Sequence, residues 1–160
     1  MNVLIAGGGS IGLRHLLNIR SLYPESRITV WHTSGRLSRE SKISSKADKI
    51  ATSLESALES KPDAAFVTCP SSEHVRIGAT LATYGIDLFI EKPLSNKMHG
   101  VEGLLNLSRE RRLILMVGYN LRFSKSLGIV RQSLQNETIG RVQSVLAEAG
   151  QYLPDWRPID

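Results

Sequence analysis

Six short apolar runs recur between longer amphipathic or small-residue stretches: NVLIA (2–6), RITVW (27–31), KIA (49–51), AAFVT (64–68), DLFIE (87–91) and LILMVG (113–118). Runs with no polar alternation read as strands covered on both faces, as in a parallel sheet. The intervening stretches at 10–22, 53–60, 72–84 and 97–111 read as helices. Val75, Ala79 and Ala82 share one face of the third, and Val101, Leu104 and Leu105 one face of the fourth. Strand and helix alternating in this way predict an α/β fold, a doubly wound parallel sheet. The polar stretch 33–46 reads as a loop or a frayed helix.

The pattern changes near residue 120. Residues 124–140 read as a helix ending at a turn, and 141–153 as a strand with one wet face. The expected division is one doubly wound α/β domain over 1–120. Residues 121–160 would supply a linking helix and the first strand of a second, truncated α/β domain.

Length and composition set the outer limits. At 160 residues the chain can bury one core, and 41% hydrophobic with 22% charged residues is the balance of a folded globular protein. Cys69 is the only cysteine, which excludes an intramolecular disulfide and a multi-cysteine metal site. Glycines and charges break the N-terminal apolar run, leaving neither a signal-peptide core nor a membrane-length span, so the expected location is cytoplasmic with no membrane partner. The net charge of +5 suits an anionic ligand. No aromatic residues interleave with the basic runs, and nucleic acid is not an expected partner.

Gly7, Gly9 and Gly12 form G-x-G-x-x-G between the first strand and the first helix. Gly7 would allow the tight turn, Gly9 the approach of a pyrophosphate, and Gly12 close packing of helix on strand. Together with Ser10 and Ile11 they form the expected phosphate site at a helix N-terminus. An NAD site usually places an acid at the end of the second strand. Residues 30–36 hold no Asp or Glu; His32, Thr33, Ser34 and Arg36 offer donors and a fixed positive charge instead. That set favours NADP over NAD, with S-adenosylmethionine and flavin as rival ligands of a glycine-rich turn.

A second motif separates these alternatives. TCPSSEHVRIGATLATYGI (68–86) followed by DLFIEKPLS (87–95) and VGYNLRF (117–123), taken with the glycines, resembles the glucose-fructose oxidoreductase, inositol dehydrogenase and rhizopine-catabolism (Gfo/Idh/MocA) family. The resemblance implies a dinucleotide-binding domain followed by a larger open-sheet domain, and oxidation or reduction of a sugar, cyclitol or related alcohol. It implies that Lys92 is catalytic, lying at the nicotinamide and polarising the reacting C–O group. Thr68, Pro70, Ser71, His74, Glu91 and Asn120 would border the cofactor, Arg122 the substrate cleft, and Tyr119 the nicotinamide. Lys92–Pro93 becomes a candidate cis bond. His74 reads as holding the Glu-Lys-Pro turn, His15 as packing or capping, and Cys69 as a small apolar residue.

In the family an Asp and a His of the second domain serve the substrate, and they are not among these 160 residues, so the piece alone is expected not to turn over. QYLPDWRP (151–158) resembles the start of that domain in members associated with bacterial surface sugars, which points to a sugar or nucleotide-linked sugar in glycan synthesis. The resemblance also implies a homo-oligomer built through the second domain's sheet. A different reading remains open at this point: a non-catalytic module of the same fold that senses a dinucleotide or binds a protein.

Overall fold

The computed structural model describes residues 1–34 and 41–150. It divides into two units, Met1–Tyr119 and Asn120–Asp160.

In the first unit the apolar runs form six strands: β1 (Asn2–Ala6), β2 (Arg27–Trp31), β3 (Lys49–Ala51), β4 (Ala64–Val67), β5 (Asp87–Ile90) and β6 (Leu115–Val117). They pair in parallel in the order β3-β2-β1-β4-β5-β6. Between them lie α1 (Ser10–Leu22), α2 (Ser41–Ser44), α3 (Leu54–Leu58), α4 (His74–Thr83) and α5 (Val101–Glu110). Alternate residues of β1 feed two separate cores. Val3 and Ile5 join Leu16, Ile19 and Ile28 on one face of the sheet; Leu4 and Ala6 join Ala65, Val67, Ile77, Leu81 and Ile90 on the other. Burial on both faces favours apolar side chains at successive positions, which is why Val3–Ala6 of β1 show no alternation.

Strand order reverses between β1 and β4, which are register partners up to Ala6↔Val67. In an open parallel sheet this reversal leaves a crevice beyond the carboxyl ends of the two strands, because their following segments leave toward opposite faces. The glycine turn follows β1 and Thr68 follows β4, so both lie at this point.

Several elements differ from expectation, most of them by a residue or two at the ends. The fourth long helix starts at Val101 instead of 97, because its N-cap Gly100 takes a left-handed φ of 79°. Within the polar stretch 33–46, Ser41–Ser44 form one helical turn, and residues 35–40 lie outside the described set. In the second unit a 3-10 helix (Asn120–Phe123) precedes α6 (Lys125–Gln135), but no strand follows among the described residues. Residues 141–150 carry no regular element and are all exposed, including Val145 at 81% and Leu146 at 86%. A strand is held by a ladder, and among the described residues none pairs with this stretch. The remainder of that expected strand, 151–153, lies outside the described residues.

Thr29 in the middle of β2 is fully buried, and among the described residues its hydroxyl has no hydrogen-bond partner. Burying an unpaired hydroxyl carries its full desolvation cost. Thr29→Val is therefore expected to raise unfolding stability by about 1 kcal/mol, read as a higher midpoint in urea at unchanged slope.

Candidate functional site

The glycine turn is built by packing on one side and left open on the other. Gly7 has a φ of 129°, and a Cβ there would stand 2.5 Å from the Cys69 amide nitrogen. At Gly12 a Cβ would stand 1.9 Å from the Gly7 carbonyl oxygen. Both contacts are with backbone, which cannot swing aside. Gly9 differs: a Cβ there would meet nothing within 4 Å. Its φ of −86° and ψ of −170° are open to any residue. Gly9 and Ser10 are exposed and Ile11 is half-buried. Helix α1 begins here with no side-chain cap and no acid in its first turn, so no side chain of that turn competes with an anion for its first N–H groups and positive dipole end.

Thr68 ties the turn to β4. Its backbone N–H donates to the Ala6 carbonyl at 2.9 Å, and its hydroxyl to the Gly7 carbonyl at 2.8 Å. Gly7 N–H in turn donates to the Trp31 carbonyl at 2.9 Å, which fixes the turn against the end of β2.

His32 follows β2, and only 6% of it is exposed. Its ring lies against Gly8, where a Cβ would stand 2.1 Å from the imidazole Cε1. Burial pushes the imidazole below the usual histidine range, so the ring is neutral at neutral pH. This contact gives Gly8, which belongs to no motif position, a packing reason of its own. Thr33 is half-buried and Ser34 exposed, while Arg36 lies outside the described residues.

After β4, Pro70 is exposed and Ser71 half-buried. Cys69 is buried, and burial pushes its thiol up to about 11, which leaves it protonated and inert at neutral pH. His74, the first residue of α4 and 2% exposed, lies with Nε2 2.8 Å from the Cys69 carbonyl oxygen and Nδ1 2.8 Å from that of Pro93. It thus bridges the segments that follow β4 and β5. Glu91 continues the edge, its N–H donating to the Val67 carbonyl at 2.9 Å. Lys92 is exposed, and its bond to Pro93 is cis.

The expected residues from Gly7 to Lys92 therefore follow the carboxyl ends of β1, β2, β4 and β5. Tyr119 ends the first unit, 51% exposed. Asn120 and Arg122 lie in the 3-10 helix of the second unit and are exposed. His15, expected to pack or cap, does pack on Phe66 and Phe89, and its Nε2 also lies 2.8 Å from Glu91 Oε1, a contact the sequence did not point to. Among the described residues no group of three or more His, Cys, Asp or Glu could hold a metal ion, and no helix is long and apolar enough to cross a membrane.

Residues 1–119 match the family model described as the GFO_IDH_MocA oxidoreductase family, NAD-binding Rossmann fold. The chain belongs to the Gfo/Idh/MocA family. Among its relatives, the putative oxidoreductase YceM of Salmonella typhimurium is 34% identical over 67 residues, 42% of this chain and 22% of that protein. Myo-inositol dehydrogenase Hyg17 of Streptomyces leeuwenhoekii is 26% identical over 143 residues, 89% of this chain and 44% of its own length. The WlbA dehydrogenase from Chromobacterium violaceum, solved with NADH and UDP-GlcNAcA, shares the fold with a TM-score of 0.78 at 17% identity, over 88% of this chain and 41% of that one. This chain therefore spans less than half the length of these relatives. The Gfo/Idh/MocA match covers the whole six-stranded sheet and the Glu-Lys-Pro turn.

Proposed function

We propose that the first unit binds a nicotinamide dinucleotide along the carboxyl edge of its sheet and serves hydride transfer to or from a sugar or sugar-derived alcohol or carbonyl. The observation that carries this reading is the open approach at Gly9 beside the uncapped start of α1, at the point where strand order reverses. The cradle fits a pyrophosphate: N–H donors and the helix dipole face it, and no acid of the first helical turn opposes it. Ser10 and Ile11 would contribute backbone N–H groups, and Thr68, Pro70 and Ser71 would wall the site from β4.

The bound nicotinamide supplies or accepts the hydride. Lys92 is the catalytic residue in this reading: its ammonium, placed beside the reacting oxygen, stabilises the negative charge that develops as hydride reaches a carbonyl. Glu91 and His74 hold the turn that carries it. Asn120 is proposed as a cofactor contact on the sequence resemblance alone, and residues 121–160 are proposed to begin the substrate-binding part. The proposed substrate class is a cyclitol, sugar or nucleotide-linked sugar, with surface glycan synthesis as one setting. Support comes from the names of the relatives, inositol dehydrogenases and a dTDP-sugar 3-reductase.

The cofactor we propose is NADP(H) in preference to NAD(H). No carboxylate stands at residues 32–34 to accept ribose hydroxyls or repel a 2′-phosphate, His32 is neutral, and Arg36 is the nearby cation in sequence. Calorimetric titration of the chain is expected to give NADPH a Kd about tenfold below that of NADH, a difference removed by Arg36→Ala. Equal or tighter NADH binding would overturn the preference and leave the oxidoreductase reading in place.

A further inference from the structure

His15 and Glu91 are 76 residues apart in sequence, yet His15 Nε2 and Glu91 Oε1 are 2.8 Å apart. Their side chains are only 15% and 14% exposed. A carboxylate can only accept, so Nε2 carries the proton and donates it to this bond. The floor beneath the pair is aromatic. Phe66 and Phe89 are register partners on β4 and β5, their rings stack at 4.9 Å, and each lies 5.2 Å from the His15 ring.

The second carboxylate oxygen is also held, since Glu91 Oε2 accepts the Lys92 backbone N–H at 3.1 Å. Gly118 closes another side: a Cβ there would stand 3.0 Å from Phe89 and 3.4 Å from the Glu91 carboxyl carbon. A glutamate at the end of a strand would ordinarily turn out to water. This one is gripped through one oxygen by a helix and through the other by the amide of its neighbour. The helix is α1, which starts at the glycine turn five residues before His15.

We infer that His15 is a positioning residue for Lys92. It acts through Glu91, and it joins the helix whose N-terminus faces the proposed phosphates to the residue proposed to meet the reacting oxygen. The inference rests on the reading of Lys92 given above. His74 secures the far side of the same turn through the Pro93 carbonyl, so removing His15 frees one side of Lys92 while leaving the fold in place.

The test uses the whole 160-residue chain with His15→Leu, which cannot donate, and His15→Gln, whose side-chain amide nitrogen can reach the position of Nε2. Two quantities are read: Lys92 amide hydrogen exchange without ligand, and protection of the Lys92 amine by NADH against acetic anhydride. His15→Leu is expected to speed Lys92 amide exchange about tenfold, with β1 and β4 amides unchanged, and to abolish NADH protection; His15→Gln is expected to stay within about threefold of the parent. Lys92 exchange and protection unchanged in His15→Leu would overturn the inference. Equal effects of Leu and Gln would overturn it too, since they would mark His15 as packing alone. Absence of NADH protection in the parent chain overturns the reading of Lys92 itself, and the inference with it.

Discussion

Gly12→Ala is expected to cost the first unit at least about 3 kcal/mol, beyond ordinary overpacking, whereas Gly9→Ala is expected to fold like the parent and lose the cofactor. At Gly12 the added carbon would lie 1.9 Å from the Gly7 carbonyl oxygen and 3.1 Å from the Thr68 hydroxyl. Relief would require α1 to move off β1, breaking the Thr68 to Gly7 hydrogen bond and exposing Leu16 and Ile19. At Gly9 the added carbon meets open space, and the backbone there is already one that alanine adopts. A methyl in that space would keep a pyrophosphate from the first N–H groups of α1. Losing one or two charge-assisted hydrogen bonds corresponds to weakening by about 30-fold or more. Urea denaturation and NADPH titration of the two variants separate these effects. Similar stability losses in both would show that the turn serves packing alone.

Lys92→Met is expected to lower kcat by about a hundredfold to a thousandfold, the usual cost of removing one preorganised group that stabilises transition-state charge. NADPH affinity should change by less than about threefold, because a methionine keeps the aliphatic stem and Lys92 is not among the groups proposed to hold the phosphates. The side chain is exposed at the end of β5 and forms no part of either core, so stability should not move. The assay is a polypeptide that contains this domain with the remaining substrate-binding part, given myo-inositol or UDP-N-acetylglucosamine as substrate. Full activity in Lys92→Met would remove the catalytic assignment.

What was legible in the sequence was local or periodic. β1, β2 and β3 coincide with their apolar runs; β1 is buried from Val3 to Ala6, and burial on both faces of a parallel sheet leaves continuous apolar text there. The G-x-G-x-x-G turn was legible because its spacing is local, although the backbone that Gly7 packs against, at Thr68 and Cys69, is distant in the chain. The strand expected at 141–153 shows the opposite case: residues 141–150 have loose alternation but no ladder partner, and alternation alone does not hold a strand. The bond between His15 and Glu91 and the packing of His32 on Gly8 were not legible. Both depend on which strands lie side by side, and no periodicity within one element encodes that. A histidine one turn into a helix reads as packing until the strand order brings the end of β5 to it.

The central claim is that a dinucleotide lies along the carboxyl edge of the sheet with its phosphates at the glycine turn. It is tested most directly by recording amide spectra of the 15N-labelled chain as NADPH is added. The account predicts saturable shifts at Gly8–Gly12, Thr68–Ser71 and Glu91–Lys92, with α3 and α6 unmoved. Saturable shifts confined to other residues, or none at millimolar NADPH and NADH, would contradict it.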